Sequence, residues 1–123
     1  MYFKTSRNFD GGPKQLEQAQ KHWPGALTAI LTASKEGKRY SGIDTVGLRV
    51  PNSTFLIDLM ESLISPLFAT SANLHGMPPC KNTAELLAVF DGLVQCIVLD
   101  DTPAKTKPSK IIDYTKTPPQ TLR

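Results

Sequence analysis

The sequence lacks the features that mark membrane, secreted and metal-bound proteins. No apolar run approaches the roughly 20 residues that a membrane helix needs, and the N-terminus MYFKTSRNFDGG has no apolar core of the signal-peptide type. Cysteine is scarce, and Cys80 and Cys96 show no spacing typical of a metal site. A cytoplasmic protein with free thiols and no membrane partner is therefore expected.

Two further absences narrow the chemistry. No glycine-rich loop of the GxxxxGK type occurs, which excludes a Walker-type ATPase. His22 and His75 have no Cys or Asp at ligand spacing, so no metal site is expected. The formal net charge of +3 suits an anionic partner such as a nucleotide or RNA, although it is also ordinary for a protein of 123 residues.

The pattern of apolar residues and breakers predicts one α/β domain with a mixed sheet. Residues 1–13, which end in Gly-Gly-Pro, are expected to form an irregular lead-in, and residues 14–123 the domain. Pro66 should end the second of three helices. The helices are predicted at 14–22, 53–64 and 83–90, the strands at 26–33, 45–51, 67–71, 94–101 and 109–115, a charged turn or loop at 34–42, and an extended segment at 116–123.

Ser71 and Asn73 come at the end of the predicted strand 67–71, where α/β proteins tend to bind ligands. Strand alternation would send both side chains to the same side. The Asn amide offers a donor and an acceptor, enough to bind an adenine edge or a carboxylate. The pattern leaves open the alternative that both side chains only satisfy backbone groups of the loop.

Arg49 lies within an otherwise apolar strand, GLRVP, where a charge needs a partner or a ligand. A guanidinium can bind a carboxylate through two parallel hydrogen bonds. The alternative is a solvent-facing residue on a half-exposed strand. Ser109 enters the strand SKIIDYT, and by itself it is typical of a simple turn hydroxyl.

Five motifs, taken in order, resemble the YrdC-like family of L-threonylcarbamoyladenylate synthases. They are WPGALT (23–28), DTVGLRVP (44–51), ATSANLHG (69–76), PSKIIDYT (108–115) and PPQTLR (118–123). The resemblance implies an α/β fold with a YrdC-like twisted mixed β-sheet and flanking helices. It also implies synthesis of threonylcarbamoyl-AMP and pyrophosphate from L-threonine, bicarbonate and ATP, with Mg²⁺, in tRNA threonylcarbamoyladenosine modification.

The resemblance also implies roles for individual residues, carried over motif by motif. Three would bind L-threonine: Arg49, Ser71 and Ser109. Four would contact ATP: Thr45, Asn73, Lys81 and Arg123. The reaction needs mainly the positioning of three reactants, so no covalent catalytic residue is nominated.

The family's TDTVYGL-type strand and its KGR-like and SxxKP-like basic motifs do not occur in this sequence. The resemblance therefore implies a sheet that lacks the family's N-terminal strand and helix. The chain is then either an enzyme complemented by an N-terminal polypeptide, or a non-catalytic module that keeps the threonine half-site and binds RNA. Self-association over an exposed sheet edge is also expected. A HypF-like carbamoyl-transfer domain is a third alternative, but its acylphosphatase and zinc-finger segments are absent.

Overall fold

The computed structural model describes residues 12–63, 67–99 and 108–123. Most of the expected lead-in, the helix end at Pro66 and the strand end at Asp100-Asp101 lie outside these residues. The chain divides into two compact units. The first comprises Met1–Ala69 with Pro108–Arg123, and the second comprises Thr70–Lys107.

The first unit contains a mixed sheet of four strands, which confirms the predicted fold class. The strands are β1 (Leu27–Thr32), β2 (Thr45–Leu48), β3 (Lys110–Asp113) and β4 (Gln120–Thr121), in the spatial order β2-β1-β3-β4. β1 pairs antiparallel with β2 and parallel with β3, and β3 pairs antiparallel with β4. The parallel pair places the beginnings of β1 and β3 at one end of the sheet, together with the end of β2.

One face of this sheet forms the core, because buried side chains alternate along β1 and β2. Leu31 and Val46 are the largest fully buried side chains among the described residues. Burying a side chain of this size stabilises the fold by about 1.5–3 kcal/mol. Helix α1 (Pro13–Gln20) covers the same face through Ala19, which is completely buried. The side chains that alternate with the buried ones along β2 lie on the opposite face of the sheet.

Helix α2 (Lys35–Ser41) occupies the segment that was expected to be a turn or loop, so that prediction is wrong. The Ser34 hydroxyl caps it by accepting the Gly37 N–H at 3.0 Å. At the other end Gly42 has φ 72°, a left-handed conformation that glycine adopts without strain. These two caps, rather than an apolar stripe, define the helix.

Helix α3 (Thr54–Ser62) follows β2 and confirms the helix predicted there, with slightly tighter bounds. Ser53 caps it by accepting the Leu56 N–H at 3.4 Å. At nine residues it is the longest helix of the described chain, and none of these helices is long and apolar enough to cross a membrane.

The second unit contains helix α4 (Thr83–Phe90), which has the predicted bounds. Asn82 caps it by accepting the Glu85 N–H at 2.9 Å. The strands predicted at 67–71 and 94–101 are wrong as far as the structure describes them. Leu67 forms a single bridge, and residues 68–71 and 94–99 are irregular. An apolar run becomes a strand only when a neighbour supplies a ladder of hydrogen bonds. Within residues 67–71 and 94–99, the structure shows no such ladder beyond the bridge at Leu67.

No residue in the described part of the second unit, 70–99, is buried. Large apolar side chains remain open to solvent there, with Met77 61%, Leu93 67% and Val98 62% exposed. Within the described range, this unit therefore has no hydrophobic core of its own.

Candidate functional site

Arg49 follows β2 directly and its guanidinium joins two other segments of the first unit. Its Nε donates to the Gly25 carbonyl at 3.2 Å, and its Nη1 donates to the Ser109 hydroxyl. The Gly25 N–H in turn donates to the Val50 carbonyl at 2.8 Å. The arginine is half-buried, so it is not the fully solvent-facing residue of the alternative interpretation.

Gly25 is required at this position by its close approach to the end of α1. A Cβ atom built on it would lie 2.6 Å from the His22 carbonyl oxygen, closer than real Cβ contacts. Only a residue without a side chain can therefore bring its carbonyl to Arg49. This close contact explains the glycine of the WPG motif, which the pattern of apolar residues in the sequence did not explain.

Ser109 is the point at which two arginines meet. It is 9% exposed and directly precedes β3. Arg123 Nε donates to the Ser109 carbonyl at 3.3 Å, while Arg49 donates to the Ser109 hydroxyl. The pairing of the C-terminal segment with Ile111, whose N–H donates to the Arg123 carbonyl at 2.8 Å, sets this position.

We call this arrangement of Arg49, Ser109 and Arg123 the basic corner. Guanidinium groups are always charged and present planar sets of donors that match carboxylate and phosphate geometry. The half-buried position of Arg49 strengthens its charge-assisted hydrogen bonds relative to bulk water, whereas Arg123 is exposed. The basic corner is therefore suited to an anionic group, with a serine hydroxyl beside it.

Thr45 lies at the other end of β2, opposite Thr32 of β1. Val46 and Leu48 are buried on the core face, so Thr45, Gly47 and Arg49 share the opposite, partly exposed face. Thr45 and Arg49 are four residue steps apart, which is about 13 Å along an extended chain. This distance matches the length of a small linear ligand and is too long for a single hydrogen bond.

Ser71 and Asn73 lie in a loop of the second unit, and the strand alternation expected to align them does not occur. The Asn73 N–H donates to the Ser71 carbonyl at 3.0 Å, which is a turn contact. Asn73 Nδ2 donates to the carbonyls of Leu74 and Met77, both at 2.9 Å. The amide nitrogen therefore serves the loop, as the structural alternative predicted.

The amide oxygen of Asn73 behaves differently from its nitrogen. Oδ1 is buried and has no hydrogen-bond partner among the described residues. A buried acceptor without a donor costs free energy, so native proteins rarely leave one unless a ligand or water supplies the donor. Ser71, in contrast, is exposed.

Asn73 and Lys81 line one hollow of about 430 Å³ in the second unit. This volume lies within the range of small-molecule sites. The walls are largely apolar, with Leu74, Met77 and Pro79 among them. Glu85 also lines the hollow, but its carboxylate is occupied by the Lys81 N–H at 2.8 Å and by Asn82 Nδ2 at 2.9 Å.

A second hollow, of about 530 Å³, contains none of the nominated residues. Lys14, Tyr114 and Lys116 are among the residues that line it. Burial raises the pKa of the Tyr114 phenol above its ordinary value. Elsewhere too the described ranges hold no cluster of three His, Cys, Asp or Glu side chains that could bind a metal ion.

Within each unit, then, the structure brings some nominated residues together. Arg49, Ser109 and Arg123 meet in the first unit, and Asn73 and Lys81 line one hollow in the second. The contact of Arg123 with Ser109 was not predicted, because it depends on the register of β3 and β4. The WPG sequence was the signal that could have indicated the role of Gly25.

The first unit is an α/β structure with charged and hydroxyl groups at the ends of its strands, which is where α/β proteins tend to bind ligands. The Sua5/YciO/YrdC family model, described as telomere recombination, matches residues 5–123. The chain belongs to this family, as the resemblance predicted.

The curated relatives described next share the name threonylcarbamoyl-AMP synthase. A threonylcarbamoyl-AMP synthase of Klebsiella pneumoniae is 37% identical over 114 residues, which cover 91% of this chain and 58% of that relative. A threonylcarbamoyl-AMP synthase of Pyrococcus abyssi is 33% identical over 114 residues, 90% of this chain and 34% of that protein. The chain thus spans between about a third and three fifths of the length of these relatives.

Solved structures agree with the family assignment. The crystal structure of P. abyssi Sua5 complexed with L-threonine has a TM-score of 0.82 and 30% sequence identity, covering 99% of this chain and 38% of that one. A doubly substituted P. abyssi Sua5 has a TM-score of 0.84 and 28% identity, with the same coverage.

Proposed function

We propose that this chain acts in the synthesis of threonylcarbamoyl-AMP from L-threonine, bicarbonate and ATP, for tRNA threonylcarbamoyladenosine modification. The observation that carries the proposal is the basic corner, where a half-buried arginine and a buried serine meet at the end of the sheet. The names of the relatives and the L-threonine complex of the similar structure support the choice of substrate.

The threonine carboxylate binds at Arg49 in this proposal, with the Ser109 hydroxyl beside it. A guanidinium is planar and matches the two oxygens of a carboxylate, and Arg49 is held in place by the Gly25 carbonyl and the Ser109 hydroxyl. Ser71 is the third proposed threonine contact, by its place in the SAN motif. A carboxylate suits this position because the corner concentrates positive charge.

The nucleotide contacts are Thr45, Asn73, Lys81 and Arg123 in this proposal. The unpaired Oδ1 of Asn73 can accept a hydrogen from the exocyclic amine of adenine, and the apolar walls of the hollow suit a base. The exposed ammonium group of Lys81 can meet a phosphate. Arg123, held by one nitrogen at Ser109, keeps further donors for an anion.

The chemistry requires positioning rather than a protein nucleophile. The threonine amine attacks the carbon of bicarbonate and the C–OH bond breaks. The leaving hydroxide takes a proton from the amine, so water is released and a carbamate remains. A carbamate oxygen then attacks the α-phosphorus of ATP, and the bond to pyrophosphate breaks. Holding the reactants in line lowers the barrier by several kcal/mol without a covalent intermediate. The described residues offer no carboxylate cluster for Mg²⁺, so in this proposal the ion arrives with the phosphates of ATP.

The cell compartment and the partners are part of the same proposal. Both cysteines, Cys80 and Cys96, are free thiols, which suits the cytoplasm. A complementing N-terminal polypeptide, a second copy of the chain and tRNA are the proposed macromolecular partners. The solvent-open apolar residues of the second unit favour one of the two protein partners.

A second candidate function is a threonine-binding module that does not make the adenylate. The observation that favours it is that Arg49 and Arg123 both contact Ser109, which makes a corner suited to a single carboxylate.

A pyrophosphate-release assay with ATP, bicarbonate and L-threonine separates the two candidates, with threonine binding measured by calorimetry. Release that depends on threonine supports the synthase, whereas threonine binding without release supports the module. If the chain neither binds threonine nor releases pyrophosphate, both candidate functions are refuted. Arg39→Ala is the matched control for Arg49→Ala, because Arg39 is an exposed arginine of α2.

A further inference from the structure

Gly47 lies within β2, paired with Ile30 of β1, at a position where a side chain would ordinarily stabilise the strand. A glycine inside a strand has no side chain to pack and often marks a close approach by a ligand or another backbone. Gly47 lies on the same face as Thr45 and Arg49, between the two. The question is what requires the absence of a side chain at this position.

The backbone conformation does not require it. The glycines with positive φ among the described residues are Gly42, Gly76 and Gly92, and Gly47 is not one of them. An L-residue can therefore adopt the backbone geometry of Gly47 without the strain of a left-handed conformation.

The packing of the protein does not require it either. Within the described chain, a Cβ atom built on Gly47 would have one neighbour within 4 Å, the Thr28 Cγ2 at 3.6 Å. That is an ordinary van der Waals distance. At Gly25, in contrast, the same atom would lie 2.6 Å from a backbone oxygen. Gly47 is thus a glycine that neither conformation nor its described neighbours explain.

We propose that Gly47 is a specificity-determining position, which leaves space above β2 for the linkage between threonine and the nucleotide. The inference rests on the proposed function. Residues two apart on a strand are separated by about 7 Å, so Gly47 lies midway between the carboxylate contact at Arg49 and the nucleotide contact at Thr45. The carbamate is three bonds from the threonine carboxylate carbon, so a ligand reaching from Arg49 towards Thr45 passes over Gly47.

This placement predicts different effects on two ligands. A methyl group at position 47 obstructs the carbamoyl linkage but leaves the carboxylate contact free. Gly47→Ala is therefore expected to weaken binding of a stable sulfamate analogue of threonylcarbamoyl-AMP by about tenfold or more, and of L-threonine by less than about threefold. Gly47→Val is expected to remove detectable binding of the analogue, because its larger branched side chain fills the same space.

The experiment measures both ligands by calorimetry on wild type, Gly47→Ala, Gly47→Val and a control. Gly12→Ala is the matched control, because a Cβ there has no described neighbour within 4 Å. The double variant Gly47→Ala with Thr28→Ser removes the methyl group that the new Cβ would contact. If crowding against Thr28 causes the loss, the double variant restores binding and the inference is overturned. Circular dichroism confirms that each variant is folded.

The remaining outcomes are decisive as well. If wild type and Gly47→Ala bind the analogue with equal affinity, the role of Gly47 is overturned. The proposed function is not affected by that result. Equal losses for threonine and for the analogue also overturn it, since they indicate a general disturbance of the strand. If the wild type binds neither ligand, the proposed function is refuted and the inference falls with it.

Discussion

Replacing Arg49 gives the most direct test of the basic corner. Arg49→Ala removes the hydrogen bonds to the Gly25 carbonyl and to the Ser109 hydroxyl, and leaves both groups without that donor. Hydrogen bonds from a charged group contribute about 1.5–3 kcal/mol each, and a half-buried position gives values near the lower end. We expect the free energy of unfolding to fall by about 1–3 kcal/mol, measured by urea denaturation.

Threonine binding should fall by a comparable amount, because the same guanidinium is proposed to bind the carboxylate. A loss of about 2–3 kcal/mol corresponds to a Kd about 30- to 150-fold higher, which calorimetry resolves. Arg49→Lys keeps the charge but cannot bridge Gly25, Ser109 and a carboxylate with one planar group, so a loss of about tenfold is expected.

The control for this experiment is Arg39→Ala, which removes an exposed arginine of α2. If Arg49→Ala and Arg39→Ala bind threonine with the wild-type affinity, Arg49 does not belong to the site. If Arg49→Ala does not fold, Ser109→Ala tests the same corner, because it removes the hydroxyl acceptor and keeps the guanidinium.

Three further predictions concern the framework of the site. Gly25→Ala should lower the free energy of unfolding by about 1–3 kcal/mol, because its Cβ would overlap the His22 carbonyl; an unchanged urea midpoint would refute this. Ser34→Ala should cost about 1 kcal/mol by removing the N-cap of α2, and Ser34→Asp should restore most of it; equal stability of all three proteins would contradict the cap. The hydrogen bond and charge of Lys38 lower the pKa of Asp44 below its ordinary 3.8, so this contribution to stability is present above pH 3.8 and is lost as the pH falls through the lower folded value. Asp44→Asn should remove that acid dependence, and an identical pH profile for the variant would exclude the pair.

The elements predicted correctly were those that carry a local signal. Helix α1 was predicted from a run of helix-forming residues, β1 from a run of apolar and β-branched residues, and α4 from the stretch TAELLAVF. Helix α2 was missed because seven mostly polar residues give no apolar stripe, and its caps at Ser34 and Gly42 are local backbone features. The segments 67–71 and 94–101 were assigned as strands because an apolar run does not reveal whether a pairing partner exists.

The site was predictable only in part, for a similar reason. The motif around Arg49 marked a charge that needed a partner, but only the fold shows that Ser109 and the Gly25 carbonyl provide it. The contact of Arg123 with Ser109 depends on the β3–β4 register, which composition does not encode. The unpaired oxygen of Asn73 is a property of loop geometry and burial, so a sequence alone could not have indicated it.

The Arg49–Ser109 contact joins residues 60 positions apart. It can form only after β3 has docked alongside β1, and closing so long a loop is among the slower events in folding. Ligand binding at the basic corner would therefore show that β3 has paired with β1. A bound ligand should also slow the opening of the sheet, because it binds only when these distant parts of the polypeptide are together.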